Sequence, residues 1–154
     1  MPQNDKQESG SRRTVRDVMT PNPASVSEKD SIKRVAEIMK REDAGVVPVV
    51  DGKKVIGMIT DRDIVVRLIA EGKDCSTAKV NDVMSKQVRS VKEDTPITEV
   101  LQLMSREQIR RVPVTNNNND LVGIVSIGDI ASDEKETVKV GRAVEDISEA
   151  PPNN

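Results

Sequence analysis

None of the 154 residues is phenylalanine, tyrosine, tryptophan or histidine. The core therefore forgoes side chains that bury roughly 150–250 Å² each, and base stacking on aromatic platforms is excluded. Lack of histidine removes Ser-His-Asp and Cys-His catalytic pairs and every imidazole ligand for zinc. One cysteine, Cys75, allows no intramolecular disulfide and no thiolate cluster, so this usage fits a reducing cytoplasm. No apolar run approaches the roughly 20 residues that span a bilayer. Residues 1–13 lack an apolar stretch, so the expectation is a loose polar tail rather than a signal peptide.

Valine occurs 23 times, isoleucine 12, leucine only 4 and methionine 6. The β-branched excess favours a substantial sheet component. A net charge of −2, from 24 basic and 26 acidic residues, argues for a folded chain and against a dedicated nucleic-acid face. The apolar residues, glycines, prolines and acidic residues repeat in register. Val15-Arg16-Asp17-Val18-Met19-Thr20 returns as Val80-Asn81-Asp82-Val83-Met84-Ser85, an offset of 65. Ser25-Val26 returns as Ser90-Val91, and Val47-Pro48-Val49 as Val112-Pro113-Val114. After the asparagine run Asn116–Asn119 the offset is 66, and Ile56-Gly57-Met58-Ile59-Thr60 returns as Val122-Gly123-Ile124-Val125-Ser126.

Ile32, Val35, Ala36 and Met39 stand at i, i+3, i+4, i+7, which predicts a helix over Ser31–Arg41. Its counterpart runs from Pro96, placed in the first turn, to about Arg106. Val46–Val50 and Lys54–Ile59 around Asp51-Gly52 read as a hairpin, repeated by Val112–Thr115 and Leu121–Val125. A second helix follows, Asp61 to about Glu71 in the first copy and Ile127 to about Ser132 in the second. Each unit is thus β-α-β-β-α, α/β in content. At about 60 residues a unit is marginal alone, so the two are expected to pack as one body with pseudo-twofold symmetry. The segments are a tail at 1–13, repeats at 14–71 and 80–132, a linker at 72–79, and a tail at 133–154 with a short helix near 138–147.

Thr60-x-x-Asp63 and Ser126-x-x-Asp129 each follow a glycine-containing strand and open a helix. Two readings apply. One is a capping box, in which hydroxyl and carboxylate satisfy free backbone amides. The other is a site for a phosphorylated ribose, with phosphate on the amides and the carboxylate accepting from ribose hydroxyls.

With DVMTPNP, VVPVVD, RRVPVT, GMITDRDI and GIVSIGDI in tandem, the chain resembles a cystathionine-β-synthase-type (CBS) domain pair over residues 14 to 132. The resemblance implies a regulatory module that is not an enzyme. It implies adenosine ligands such as AMP, ADP, ATP or S-adenosylmethionine, bound in clefts between the repeats, with no required cofactor or metal. It places Thr60, Asp63, Ser126 and Asp129 at ribose and phosphate. Thr20, Ala24, Val26, Val47 and Pro48, with Ser85, Val91, Val112 and Pro113, edge the adenine pockets, although plain core packing is the competing reading for the apolar ones. Arg110-Arg111 occupies positions where phosphate contacts occur in such proteins, where the first repeat has Gly45-Val46. Arg62, which faces Gly128 in the same comparison, is likewise placed among the ribose and phosphate contacts. The clefts are therefore expected to be unequal, and the adenine to rest on aliphatic groups. The resemblance also implies a homodimer, while the short apolar runs and balanced charge argue against membrane and nucleic-acid partners. The alternative is a ligand-independent interaction protein in which both motifs only cap helices.

Overall fold

The structure is a computed structural model and describes residues 13–132. It is an α+β fold in two compact units, which do not coincide with the two continuous repeats. The first-repeat unit takes Asn22–Arg89 with Asn118–Leu121. The second-repeat unit takes, among the described residues, 13–21, 90–117 and 122–132. The opening segment of each repeat is therefore built into the unit of the other, and continuous domains at 14–71 and 80–132 describe the repeats rather than the packing units.

In the first-repeat unit, α1 (Ile32–Glu42) buries Ile32, Val35 and Ile38 on one face. Ser31 caps it by accepting from the Arg34 amide at 3.2 Å. It ends at Glu42, one residue beyond the expected stop, with left-handed Asp43 as its C-cap. β2 (Val46–Asp51) and β3 (Lys54–Thr60) pair antiparallel from Val46↔Thr60 to Asp51↔Lys54, with an irregularity between Val49 and Val50. Gly52 turns the hairpin at φ +64. α2 (Asp61–Ile64) passes directly into a π-helical turn, Val65–Ile69. The predicted regular helix over Asp61–Glu71 is thus shorter and changes its winding midway. α3 (Val80–Val83), from the start of the second repeat, closes this unit. Its Val80 and Val83, with Met84, join Val26, Val35, Val47, Val49, Ile59 and Leu68 in the core.

In the second-repeat unit, a 3-10 turn at Val15–Asp17 precedes β1 (Thr20–Pro21). β4 (Val91–Lys92), β5 (Arg111–Thr115) and β6 (Leu121–Ser126) complete a sheet of order β1-β6-β5-β4. α4 (Ile97–Glu107) buries Ile97, Val100, Leu101 and Met104, with Pro96 as its cap rather than its first turn. α5 (Ile127–Ala131) ends the described chain. Val15, Val112, Val114, Val125 and Ile130 pack with the buried residues of α4. Each fully buried valine or isoleucine contributes about 1.5–3 kcal/mol, which is how a core without rings holds. The expected helix at 138–147 and the tail at 1–12 lie outside the described residues.

The exchange of openers is reciprocal. Thr14 bridges Pro96 and Lys79 bridges Ser31, while Ser85 bridges Met58. Thr20 pairs with Ile124 in the corresponding place. Gly57 and Gly123 make these crossings close. A Cβ on Gly57 would stand 2.6 Å from the Ser85 carbonyl oxygen, and one on Gly123 within 2.4 Å of Met19 Sδ.

Candidate functional site

The two motifs sit where β3 and β6 deliver the chain into α2 and α5. In the first, the Asp63 amide donates to Thr60 Oγ1 at 2.9 Å and the Thr60 amide donates to Asp63 Oδ2 at 3.0 Å. In the second, the Asp129 amide donates to Ser126 Oγ at 3.0 Å and the Ser126 amide to Asp129 Oδ2 at 2.9 Å. Both capping boxes are closed. α5 is only 5 residues long, so little helix dipole stands behind its first amides, whereas α2 runs on through the π-helical turn to Ile69. The phosphate-binding power that a free helix start would bring is thus largely taken up by the caps. Charged side chains have to supply the remainder.

The exchange of openers regroups the other candidates. Ser85 stands in the first-repeat unit with Ala24, Pro48, Thr60, Arg62 and Asp63. It bridges Met58, two residues before Thr60. Thr20 stands in the second-repeat unit with Val91, Arg110, Arg111, Pro113, Ser126 and Asp129, and pairs with Ile124, two residues before Ser126. Thr20 therefore falls in the other packing unit from Ala24 and Val26, its neighbours in sequence. Val26, Val47 and Val112 are 2%, 1% and 0% exposed and belong to the cores, and Pro48 and Pro113 are buried with them. Ala24, Ser85 and Val91 are half-buried, and Thr20 is exposed.

Backbone hydrogen bonds fix which residues stand beside each motif. The Ile127 amide donates to the Arg110 carbonyl at 2.9 Å, and the Asp61 amide donates to the Gly45 carbonyl at 3.0 Å. Arg110 and Gly45 are thus equivalent by geometry as well as by offset. Arg110 and Arg111 are exposed, and among the described residues neither guanidinium makes an ion pair.

Sequence reasoning missed Arg67. Its Nε lies 3.8 Å from Asp63 Oδ1. Its Nη1 donates to the Val83 and Met84 carbonyls, 3.2 Å each. One arginine therefore ties the motif carboxylate to the end of α3, next to Ser85. The i, i+4 spacing from Asp63 was its only sequence signal.

The CBS domain profile matches residues 15–70 and again 80–135. The chain belongs to the CBS domain family. It is 40% identical over 135 residues to the CBS domain-containing protein YhcV of Bacillus subtilis (strain 168), covering 88% of this chain and 95% of that protein. Hypoxic response protein I, solved with two coordinated zinc ions, is similar at a TM-score of 0.72 and 36% identity, over 79% of this chain and 98% of that one. The CBS domain pair of protein MJ0100, solved with 5′-methylthioadenosine and S-adenosyl-L-methionine, is similar at a TM-score of 0.70 and 30% identity, over 79% and 94%. This CBS pair has no histidine. Among its described residues no three Cys, Asp or Glu side chains converge to hold a metal ion, and no helix is long and apolar enough to cross a membrane.

Proposed function

We propose that this CBS pair is a cytoplasmic regulatory module that binds an adenosine nucleotide of the AMP, ADP or ATP class and does no catalysis of its own. The observation that carries the reading is the second-repeat motif. Arg110 is tied through its carbonyl to the first amide of α5, so two exposed arginines flank Ser126 and Asp129. Guanidinium forks match phosphate oxygens in paired, charge-assisted hydrogen bonds. Asp129 uses Oδ2 in the cap, which among the described residues leaves Oδ1 to accept from ribose hydroxyls. Thr20 borders the same strand end. The adenosine ligands of MJ0100 support the adenosine class, and S-adenosylmethionine belongs to the same set. With no aromatic ring in the chain, adenine at this site would rest on aliphatic groups such as Val91. Affinity then depends mainly on ribose and phosphate contacts.

Regulation requires that the ligand prefer one arrangement of the protein over another. In this reading the protein acts as a homodimer, for which Val65, Val66 and Ile69, at 54%, 45% and 56% exposure, offer an apolar surface. Its mass in solution by light scattering tests that point.

One observation favours a ligand-independent interaction module instead. The capping boxes are complete without ligand, so Asp63 and Asp129 already have work. Calorimetry separates the two readings. Replacing Arg110 and Arg111 with alanine should weaken ATP binding tenfold or more, and saturating nucleotide should stabilise the parent protein by about 2.7 kcal/mol at 100 Kd. A parent protein that binds no adenine nucleotide, and loses only cap stability on Asp129→Ala, would establish the interaction module.

A further inference from the structure

The two strand ends are matched in backbone and opposed in charge. In the first repeat the backbone bond between Asp61 and Gly45 brings the Asp61 carboxylate over the glycine. A Cβ at Gly45 would lie 3.2 Å from Asp61 Oδ2. Asp61 Oδ1 meanwhile accepts from the Arg62 amide at 2.8 Å, which fixes the carboxylate in that place. The space from which the Arg110 side chain leaves in the second repeat is thus bordered in the first by an anion. Arg111 is likewise replaced by Val46, which is buried. Over matched positions, 45, 46 and 60–63 carry Asp61, Arg62 and Asp63, a sum of −1. Positions 110, 111 and 126–129 carry Arg110, Arg111 and Asp129, a sum of +1. Arg67 brings the first sum to zero, but its guanidinium is held toward Asp63 and the two carbonyls at the end of α3, so the Asp61 carboxylate keeps its charge at the strand end.

We infer that Asp61 bars phosphate from the first-repeat site and selects there an adenosine ligand without phosphate, either a neutral thionucleoside or a sulfonium cation. The inference rests on the nucleotide reading above and sharpens it, since the two sites then take different ligand classes. A carboxylate held about 4 Å from a phosphate disfavours it on the order of tenfold or more at a partly exposed site, and salt reduces the discrimination.

Calorimetry of the full chain with ATP and with 5′-methylthioadenosine tests this. The parent protein should take one ATP per chain, with a second site filled by methylthioadenosine. Asp61→Asn keeps an acceptor for the Arg62 amide, and Asp61→Ile installs the second repeat's residue. Either should admit a second ATP, and far-ultraviolet circular dichroism checks that each is folded. Two equal ATP sites in the parent protein, or one ATP site in both variants, would overturn the inference and leave the nucleotide reading intact. No binding of either ligand by the parent protein would instead remove the nucleotide reading, and this inference with it.

Discussion

The first and second repeats share a fold and differ in how their strand ends are wired. The first commits its motif carboxylate to Arg67, which reaches on to the Val83 and Met84 carbonyls. It also lays Asp61 against Gly45. Among the described residues the second leaves its carboxylate with the cap alone, and it stands two arginines beside it. The buried positions kept their character: Val47 and Val112, Ile59 and Val125, Val35 and Val100 all match. After duplication, packing restrains the core because a lost or added methylene costs on the order of 1 kcal/mol there. Exposed strand ends are free to diverge, and here the divergence is almost entirely in charge.

The largest expected effect probes the opener crossings. Gly57→Ala drives a methyl into the Ser85 backbone, whereas Gly123→Ala meets the flexible Met19 side chain. Chemical denaturation should show a loss near 3 kcal/mol for the first and roughly 1 kcal/mol for the second. Equal losses would mean that the crossings are not as different as their nearest atoms imply.

Next come the caps. Thr60→Ala and Ser126→Ala each remove one half of a closed capping box and should each cost about 0.5–2 kcal/mol. Near-equal values in thermal melts are expected, because the hydrogen-bond lengths agree within 0.1 Å. A much larger loss at Thr60 would show that Arg67 and the first cap act as one network.

Arg67→Met keeps the aliphatic stem and removes the guanidinium. Arg67 is half-exposed and its pairing to Asp63 is loose at 3.8 Å, so the loss should be roughly 1 kcal/mol, mostly from the carbonyls at the end of α3. The sharper readout is local. Amide exchange around Val83 to Ser85 should quicken in the variant, while the Thr20 segment of the other unit stays unchanged.

The smallest effect concerns pH, at a position outside either motif. The Ser76 hydroxyl donates to Asp74 Oδ1 at 2.7 Å and the Ser76 amide at 2.9 Å. These bonds, the hydroxyl's first, hold the Asp74 carboxyl below its ordinary value. A carboxylate lowered in the folded state contributes stability above its unfolded value of about 3.9 and loses it as pH falls through the folded value. Asp74→Ala should therefore be slightly less stable than the parent protein near neutral pH, with the gap closing in acid melts. A gap independent of pH would remove the charged form from the account.

Much of this architecture was legible because it is local. The stripe Ile32, Val35, Ala36 and Met39 located α1 to within one residue at each end, although Ala36 is exposed and Ile38 is buried in its stead, and Asp51-Gly52 located the hairpin. The openers were not legible as elements. The 3-10 turn at Val15–Asp17, four-residue α3 and two-residue β1 are too short to display a period. Val15 is buried by residues 82 to 115 positions further on, from Ile97 to Ile130, and Val80 by residues as far back as Val26, 54 positions earlier. Thr20, read in one segment with Ala24 and Val26, falls in the packing unit of Ser126 and pairs with Ile124.

By itself the sequence determined the duplication, the β-α-β-β-α plan, the aromatic-free valine core and the two hydroxyl–carboxylate motifs. Those features are written in residue type and spacing, which local backbone preferences and hydrophobic periodicity translate directly. Only the tertiary structure decided that the openers change units, that Arg67 ties Asp63 to α3, and that the Asp61 carboxylate lies over Gly45. Each depends on a contact between segments whose separation in the chain carries no signal. There, backbone hydrogen bonds and close approaches set which charges meet.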